Sequence, residues 1–265
     1  MNQNNLDHFK QWFSGYCKSF YSTHGEDQKN ILLKEHHTLE VCRNIVRIAA
    51  DQSLTRNDVM IAEAIGLFHD IGRFPQYAQY KTFRDSLSIN HGELGARTLR
   101  EKGVLGSLPA DEQEVITTAV KFHNAFKIPD LKDQRVLLFL KLIRDADKLD
   151  IWRVFFEYYG KPAEERPSAA GIGLPDTPEY SPEVLARVFN KQLIELTMLR
   201  TLNDFKLTKL SWMYDLNFPT SLRMILENSY IERIAETLPQ TEEIKKLIIL
   251  LNEYVHERLK GDIHV

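Results

Sequence analysis

The chain has 265 residues, 43% of them hydrophobic, which is enough to bury a sizeable core without a metal or disulfide to hold it together. Lys plus Arg number 34 against Asp plus Glu 37, a formal charge of -3, so there is no global attraction for a nucleic-acid polymer or an anionic membrane. The first residues lack a basic stretch feeding an apolar core, and apolar runs such as Leu247 to Leu251 are far below a bilayer span, so the expected class is a soluble, cytoplasmic protein.

Apolar residues recur at helical spacing almost throughout. Phe9, Trp12, Phe13, Tyr16, Cys17 and Phe20 make one stripe, and Leu39, Cys42, Ile45, Val46 and Ala49 a second. Cys17 and Cys42 fall on these stripes without metal-ligand spacing and are read as buried free thiols. Further helices are predicted at about 57–69, capped by Asn57, then 91–102, 110–124, 132–150, 182–204, 219–236 and 241–259, the last opened by Thr241. Gly103 and Gly160 are natural helix stops. Long alternating strand patterns are missing, so the fold class is all-α.

From Gly160 to Pro182 five prolines and three glycines stand in 23 residues, which denies a regular helix and marks a long connector, either a lid or a surface linker. The expected organisation is a single domain with its chemical core at about 30–150, a connector at 160–182 and a C-terminal helical lobe at 183–260. Beyond the connector the only histidines are His256 and His264, which directs the search for chemistry upstream.

Five segments carry it: EHHTLEVC at 35–42, LFHDIGRF at 67–74, INHGELGA at 89–96, KFHNAFKIP at 121–129 and LIRDADKLD at 142–150. Each sets a histidine or aspartate at the end or polar edge of an apolar helical pattern. A single histidine in such a place is ordinarily a satisfied core or surface residue. As a set, neutral imidazoles beside carboxylates are borderline metal ligands, and an aspartate on an apolar helix face needs a cation or several donors to stay ionised. No CxxC pair, GxxxxGK[ST] loop or HExxH helix competes for the role.

This order of motifs resembles the HD-domain superfamily of metal-dependent phosphohydrolases over roughly residues 30–150. The resemblance matches an early helical histidine to His37, the adjacent pair to His69 and Asp70, and a late aspartate to Asp147, with His91 and His123 at the two further positions of binuclear members. It implies an HD-type helical core, to which the helical pattern after the connector, covered by no motif, adds a C-terminal helical region. One metal would take His37, His69, Asp70 and Asp147, and a second His91, His123 and a bridging oxygen of Asp70. Asn124 departs from the cyclic-dinucleotide phosphodiesterase branch, which has a second histidine there, and no GYP triplet follows. His36 is expected to face solvent, Asp145 to be a surface or supporting group, and Asp150 is ambiguous.

The chemistry so implied is hydrolysis of a phosphate ester by a hydroxide held on one or two divalent ions, with manganese, iron, nickel or zinc suited to the ligands and magnesium also admissible. Asp70, Arg73 and Lys148 are the expected catalytic residues, the two cations serving a phosphoryl oxygen; Lys81, Arg84 and Arg144 add to the basic supply. The expected partner is a small phosphorylated substrate, a nucleotide among the candidates, with Phe74, Tyr77, Tyr80 and Phe83 available to stack on a base. Two alternatives stand beside it: a di-iron oxygenase on the same fold and a non-enzymatic nucleotide-binding or interaction module.

Overall fold

The computed structural model describes residues 1–261, and His264 lies outside them. Among the described residues the regular structure is entirely helical, and the chain forms two compact units, Met1–Gly171 and Ile172–Val265. The boundary falls inside the proline-rich connector.

The first unit holds α1 (Gln3–Lys18), α2 (Gly25–Ala50), α3 (Arg56–Phe68), α4 (Arg73–Tyr80), α5 (His91–Lys102), α6 (Ala110–Phe122) and α7 (Gln134–Gly160). Its centre is α2 packed against both α3 and α7, with α6 also on α3 and α7, and α5 on α6. Helix α7 buries Phe139, Leu140, Ile143, Leu149 and Trp152 on several faces, together with the charged Arg144, Asp145, Lys148 and Asp150, as expected of a central helix. It starts at an Asp133 cap that accepts from the amides of Arg135 and Val136, and it runs on to Gly160, ten residues past the predicted end. The α3 cap is Thr55, whose hydroxyl accepts from the Asp58 amide; Asn57 lies inside the helix and donates to Glu112 instead. Gly103 ends α5 in the left-handed conformation, φ 61°. Cys17 and Cys42 are both buried free thiols.

The second unit holds α8 (Pro182–Phe189), α9 (Leu202–Ser211), α10 (Pro219–Glu227), α11 (Tyr230–Glu236) and α12 (Glu242–Gly261), α8 packing on α9 and α12 on α10 and α11. Two predicted helices are each broken. The stretch 182–204 stops at Phe189 because Lys191 turns left-handed, φ 55°, and a new helix begins at Thr201, which forms a reciprocal capping box with Asp204. The stretch 219–236 is interrupted at Ser229, φ 51°. The two ends of the connector are tied down separately: the amides of Ser168 and Ala169 bond Glu26 and Asn30 of α2, and Ser181 bonds the buried carboxylate of Asp204 in α9. No helix among the described residues is long and apolar enough to cross a membrane.

Candidate metal centre

Helix ends supply four of the six expected ligand positions and the buried faces of two long helices supply the others. His37 lies on the buried face of α2, His69 caps the C-terminus of α3 and Asp70 follows in the turn, His91 opens α5, His123 caps the C-terminus of α6, and Asp147 comes from within α7. The start of α5 lies this close to the turn after α3 and to the end of α6 because one position at each approach lacks a side chain. A Cβ on Gly72 would stand 2.1 Å from the His91 carbonyl oxygen, and one on Gly92 would stand 2.6 Å from that of Lys121. From α7, the guanidinium of Arg144 donates to the carbonyls of His123 and Ala125 and so fastens the end of α6.

Every one of the four imidazoles has its Nδ1 committed to an oxygen. For His69 and His123 it is the carbonyl three residues back, Gly66 and Val120, each at 2.7 Å. For His37 it is Asp150 Oδ2 at 2.5 Å, and for His91 it is Asp85 Oδ2 at 2.7 Å. Carbonyls and carboxylates only accept, so Nδ1 carries the hydrogen and Nε2 is left facing inward. These Nε2 atoms meet in pairs, His37 with His69 at 3.3 Å and His91 with His123 at 3.1 Å. Ring nitrogens that close repel unless a proton or a metal ion lies between them, and four inward-facing imidazole nitrogens with two carboxylates make a donor set that fits a metal.

Asp70 stands between the pairs. Its Oδ2 is 3.6 Å from His37 Nε2 and 3.8 Å from His69 Nε2, and its Oδ1 is 3.4 Å from His91 Nε2 and 3.8 Å from His123 Nε2. Asp147 Oδ1 lies 3.1 Å from His37 Nε2 and 3.8 Å from His69 Nε2. Three overlapping groups, His37–His69–Asp70, His69–His123–Asp147 and Asp70–His91–His123, each place their candidate ligand atoms within 4.8 Å of one another. Asp147, at 17% exposure, is the only one of the six side chains above 5%.

The electrostatics suit ligation. Burial pushes the pKa of His69 down to about 4, and burial together with the Arg73 charge pushes His91 down to about 3, so both stay neutral at pH 7. Burial and Lys34 act to lower His37 as well, but the carboxylates of Asp147 and Asp150 outweigh them and hold it at about 9, so at pH 7 a metal ion ligated by its Nε2 displaces a proton. Burial works against ionising Asp70, yet Lys34, His69, His123 and Arg73 keep its carboxyl well below the usual range. Asp147 and Asp85 are likewise depressed against burial, by His37 in the first case and by His91 and Arg73 in the second.

The surrounding residues divide differently from expectation. Arg73 is pinned by Asp85 at 2.9 Å, Gln76 at 2.9 Å and the Phe83 carbonyl at 2.5 Å, with Nε 3.4 Å from Asp70 Oδ1. Lys148 is buried beside Asp147 on α7. Asp145 is completely buried, which removes the surface alternative and leaves that of a supporting group, while His36 does face solvent. Phe74 and Tyr77 are core residues, Phe74 packing on Phe13, Tyr16 and Phe20, which removes them as base-stacking surfaces. Lys81 is paired with Asp27.

Three roles escape the sequence patterns. Lys34 donates to Asp70 Oδ2 at 2.8 Å, and its one signal is the i to i+3 spacing to His37. Asp150 orients His37 while Arg153 holds the same carboxylate through two bonds. Asp85, in the loop before α5, gathers His91, Arg73, Gln76 and Asn124 on one carboxylate, and nothing in its spacing marks it.

Comparison with curated proteins and with solved structures gives no match. Comparison with protein families does: residues 35–152 match the family model described as HD domain, a span containing all six candidate ligands. With a buried His and Asp cluster of the metal-binding kind at the meeting point of α2, α3, α5, α6 and α7, residues 35–152 of this all-α chain belong to the HD-domain superfamily.

Proposed function

We propose that the protein is a metal-dependent phosphohydrolase that cleaves the phosphate ester of a small substrate, a nucleotide being the first class to test. The observation that supports this reading is the disposition of Asp70, each of whose oxygens faces a different pair of imidazole Nε2 atoms. His37, His69, Asp70 and Asp147 would hold one divalent ion, and Asp70, His91 and His123 a second. When bound, such ions supply Lewis acidity toward both water and a phosphoryl oxygen.

The chain's own residues do the rest. Asp150 and Asp85 keep His37 and His91 in one tautomer and one orientation, so that Nε2 stays directed inward. Arg73, whose guanidinium is already anchored by Asp85, Gln76 and Phe83, offers a fixed positive charge next to Asp70 Oδ1, and Lys148 adds a second beside Asp147. Substrate and water reach the cluster past Asp147, the most open of the six.

The test is a screen of nucleotides, other phosphomonoesters and phosphodiesters with manganese, iron, nickel, zinc or magnesium, recording phosphate release and oxygen uptake together. Ester cleavage without oxygen uptake, lost in Asp70→Ala at saturating substrate, is expected. Iron-dependent oxygen uptake identifies the oxygenase alternative, and no turnover in any condition identifies a binding module; either result refutes the proposal.

A further inference from the structure

Lys34 is nearer to Asp70 than Arg73 is, and it is held in another way. It sits on α2 one turn before His37, so the helical repeat brings its side chain to the same face. Its Nζ lies 2.8 Å from Asp70 Oδ2 and 5.2 Å from the centre of the Phe83 ring, and Asp70 is its one carboxylate partner among the described residues. The guanidinium of Arg73, by contrast, is fixed by Asp85, Gln76 and the Phe83 carbonyl whatever happens at Asp70.

The oxygen that Lys34 holds is the one that faces His37 and His69 at 3.6 and 3.8 Å. A divalent ion taken up by that group and the lysine ammonium would be like charges competing for one carboxylate oxygen in a largely buried place. The lysine is the partner that can leave: it has a flexible four-carbon stem, and at 16% exposure it lies as open as Asp147. Once released it would be a partly buried cation with no carboxylate to answer it, a state that demands an anion.

We infer that Lys34 is an anion-binding residue which an incoming metal ion releases from Asp70 to a phosphoryl oxygen of the substrate, so that metal and anion bind cooperatively. This deepens the metal-dependent phosphohydrolase reading and rests on it. By linkage the effect is reciprocal: phosphate tightens the metal as much as the metal tightens phosphate. Arg73 supplies the stationary positive charge and Lys34 the one that moves.

Calorimetric titration of the full chain with Mn²⁺, and then of the loaded protein with inorganic phosphate, separates the possibilities. Lys34→Met is expected to bind Mn²⁺ at least as tightly as the wild type, since a competitor for Asp70 is gone. Its Mn²⁺-loaded form is expected to bind phosphate about 10- to 100-fold more weakly, the loss of one charge-assisted contact, and Lys34→Arg is expected to recover part of that affinity. Unchanged phosphate affinity in Lys34→Met overturns the inference, as does weaker Mn²⁺ binding, which would make Lys34 a support of the ligand set. A wild type that takes up Mn²⁺ but no phosphate refutes the inference alone, whereas one that takes up no Mn²⁺ refutes the metal-site reading and the inference with it.

Discussion

Asp85→Asn and Asp150→Asn form a matched pair of perturbations, because each carboxylate holds the Nδ1–H of one histidine on opposite sides of Asp70. Asp150 lies 2.5 Å from His37 Nδ1, and Asp85 lies 2.7 Å from His91 Nδ1. Asparagine keeps the size and one acceptor oxygen but removes the charge that fixes the tautomer. Supporting carboxylates of ligating histidines contribute roughly 10- to 100-fold in metal affinity, about 1.4 to 2.7 kcal/mol per ion. Asp85→Asn should therefore weaken the ion assigned to Asp70, His91 and His123 while sparing the one assigned to His37 and His69, and Asp150→Asn should do the reverse. Of the two, Asp85→Asn should have the wider effect, since Arg73, Gln76 and Asn124 donate to the same carboxylate. Two-step Mn²⁺ isotherms against a competing chelator measure both affinities at once. Equal weakening of both steps by either variant, or of neither, would refute two subsites that share Asp70.

Gly72→Ala should lower the chemical-denaturation midpoint by about 1 to 3 kcal/mol of stability, the usual cost of overpacking, because its Cβ would stand 2.1 Å from the His91 carbonyl oxygen and 2.7 Å from the Gly95 amide nitrogen; a midpoint within error of wild type would mean that α5 moves freely. Thr55→Ala should cost about 1 kcal/mol through loss of the α3 cap, and an unchanged unfolding curve would remove that role from Thr55. Burial, with Glu63 adding to it, pushes the Cys42 thiol up to about 12, and burial raises Cys17 as well, so at pH 8 both are protonated as well as inaccessible. A thiol reagent should accordingly modify neither in the native protein and both after denaturation, and rapid native labelling would contradict the packing of α1 and α2.

Helical periodicity already marks the all-α core, and the resemblance carried by five His and Asp segments points to the six positions that α2, α3, α5, α6 and α7 bring close together. What they leave out is set by single residues outside the periodic signal. The predicted helix 182–204 reads as continuous because its apolar spacing barely falters, yet Thr201 and Asp204 form a capping box whose sequence signature was present all along. The choice of Asn57 over Thr55 as a cap is an error of two positions between residues that can each accept an amide hydrogen at a helix start. Asp145 and Asp147 are two apart on α7, and spacing alone cannot say that the former is wholly buried and the latter partly exposed. Asp85 and Lys34 contribute through tertiary contacts, across a loop in one case and between α2 and the turn after α3 in the other, which no local pattern encodes.

The central claim, that Asp70 joins two sets of imidazoles around metal, is tested most directly by elemental analysis of protein prepared without a metal-binding tag. About one or two transition-metal ions per chain are expected in the wild type, and in Asp70→Ala the loss of the shared carboxylate should empty the centre while the helical content stays. A wild-type protein that is free of metal yet hydrolyses phosphate esters at full rate would contradict it.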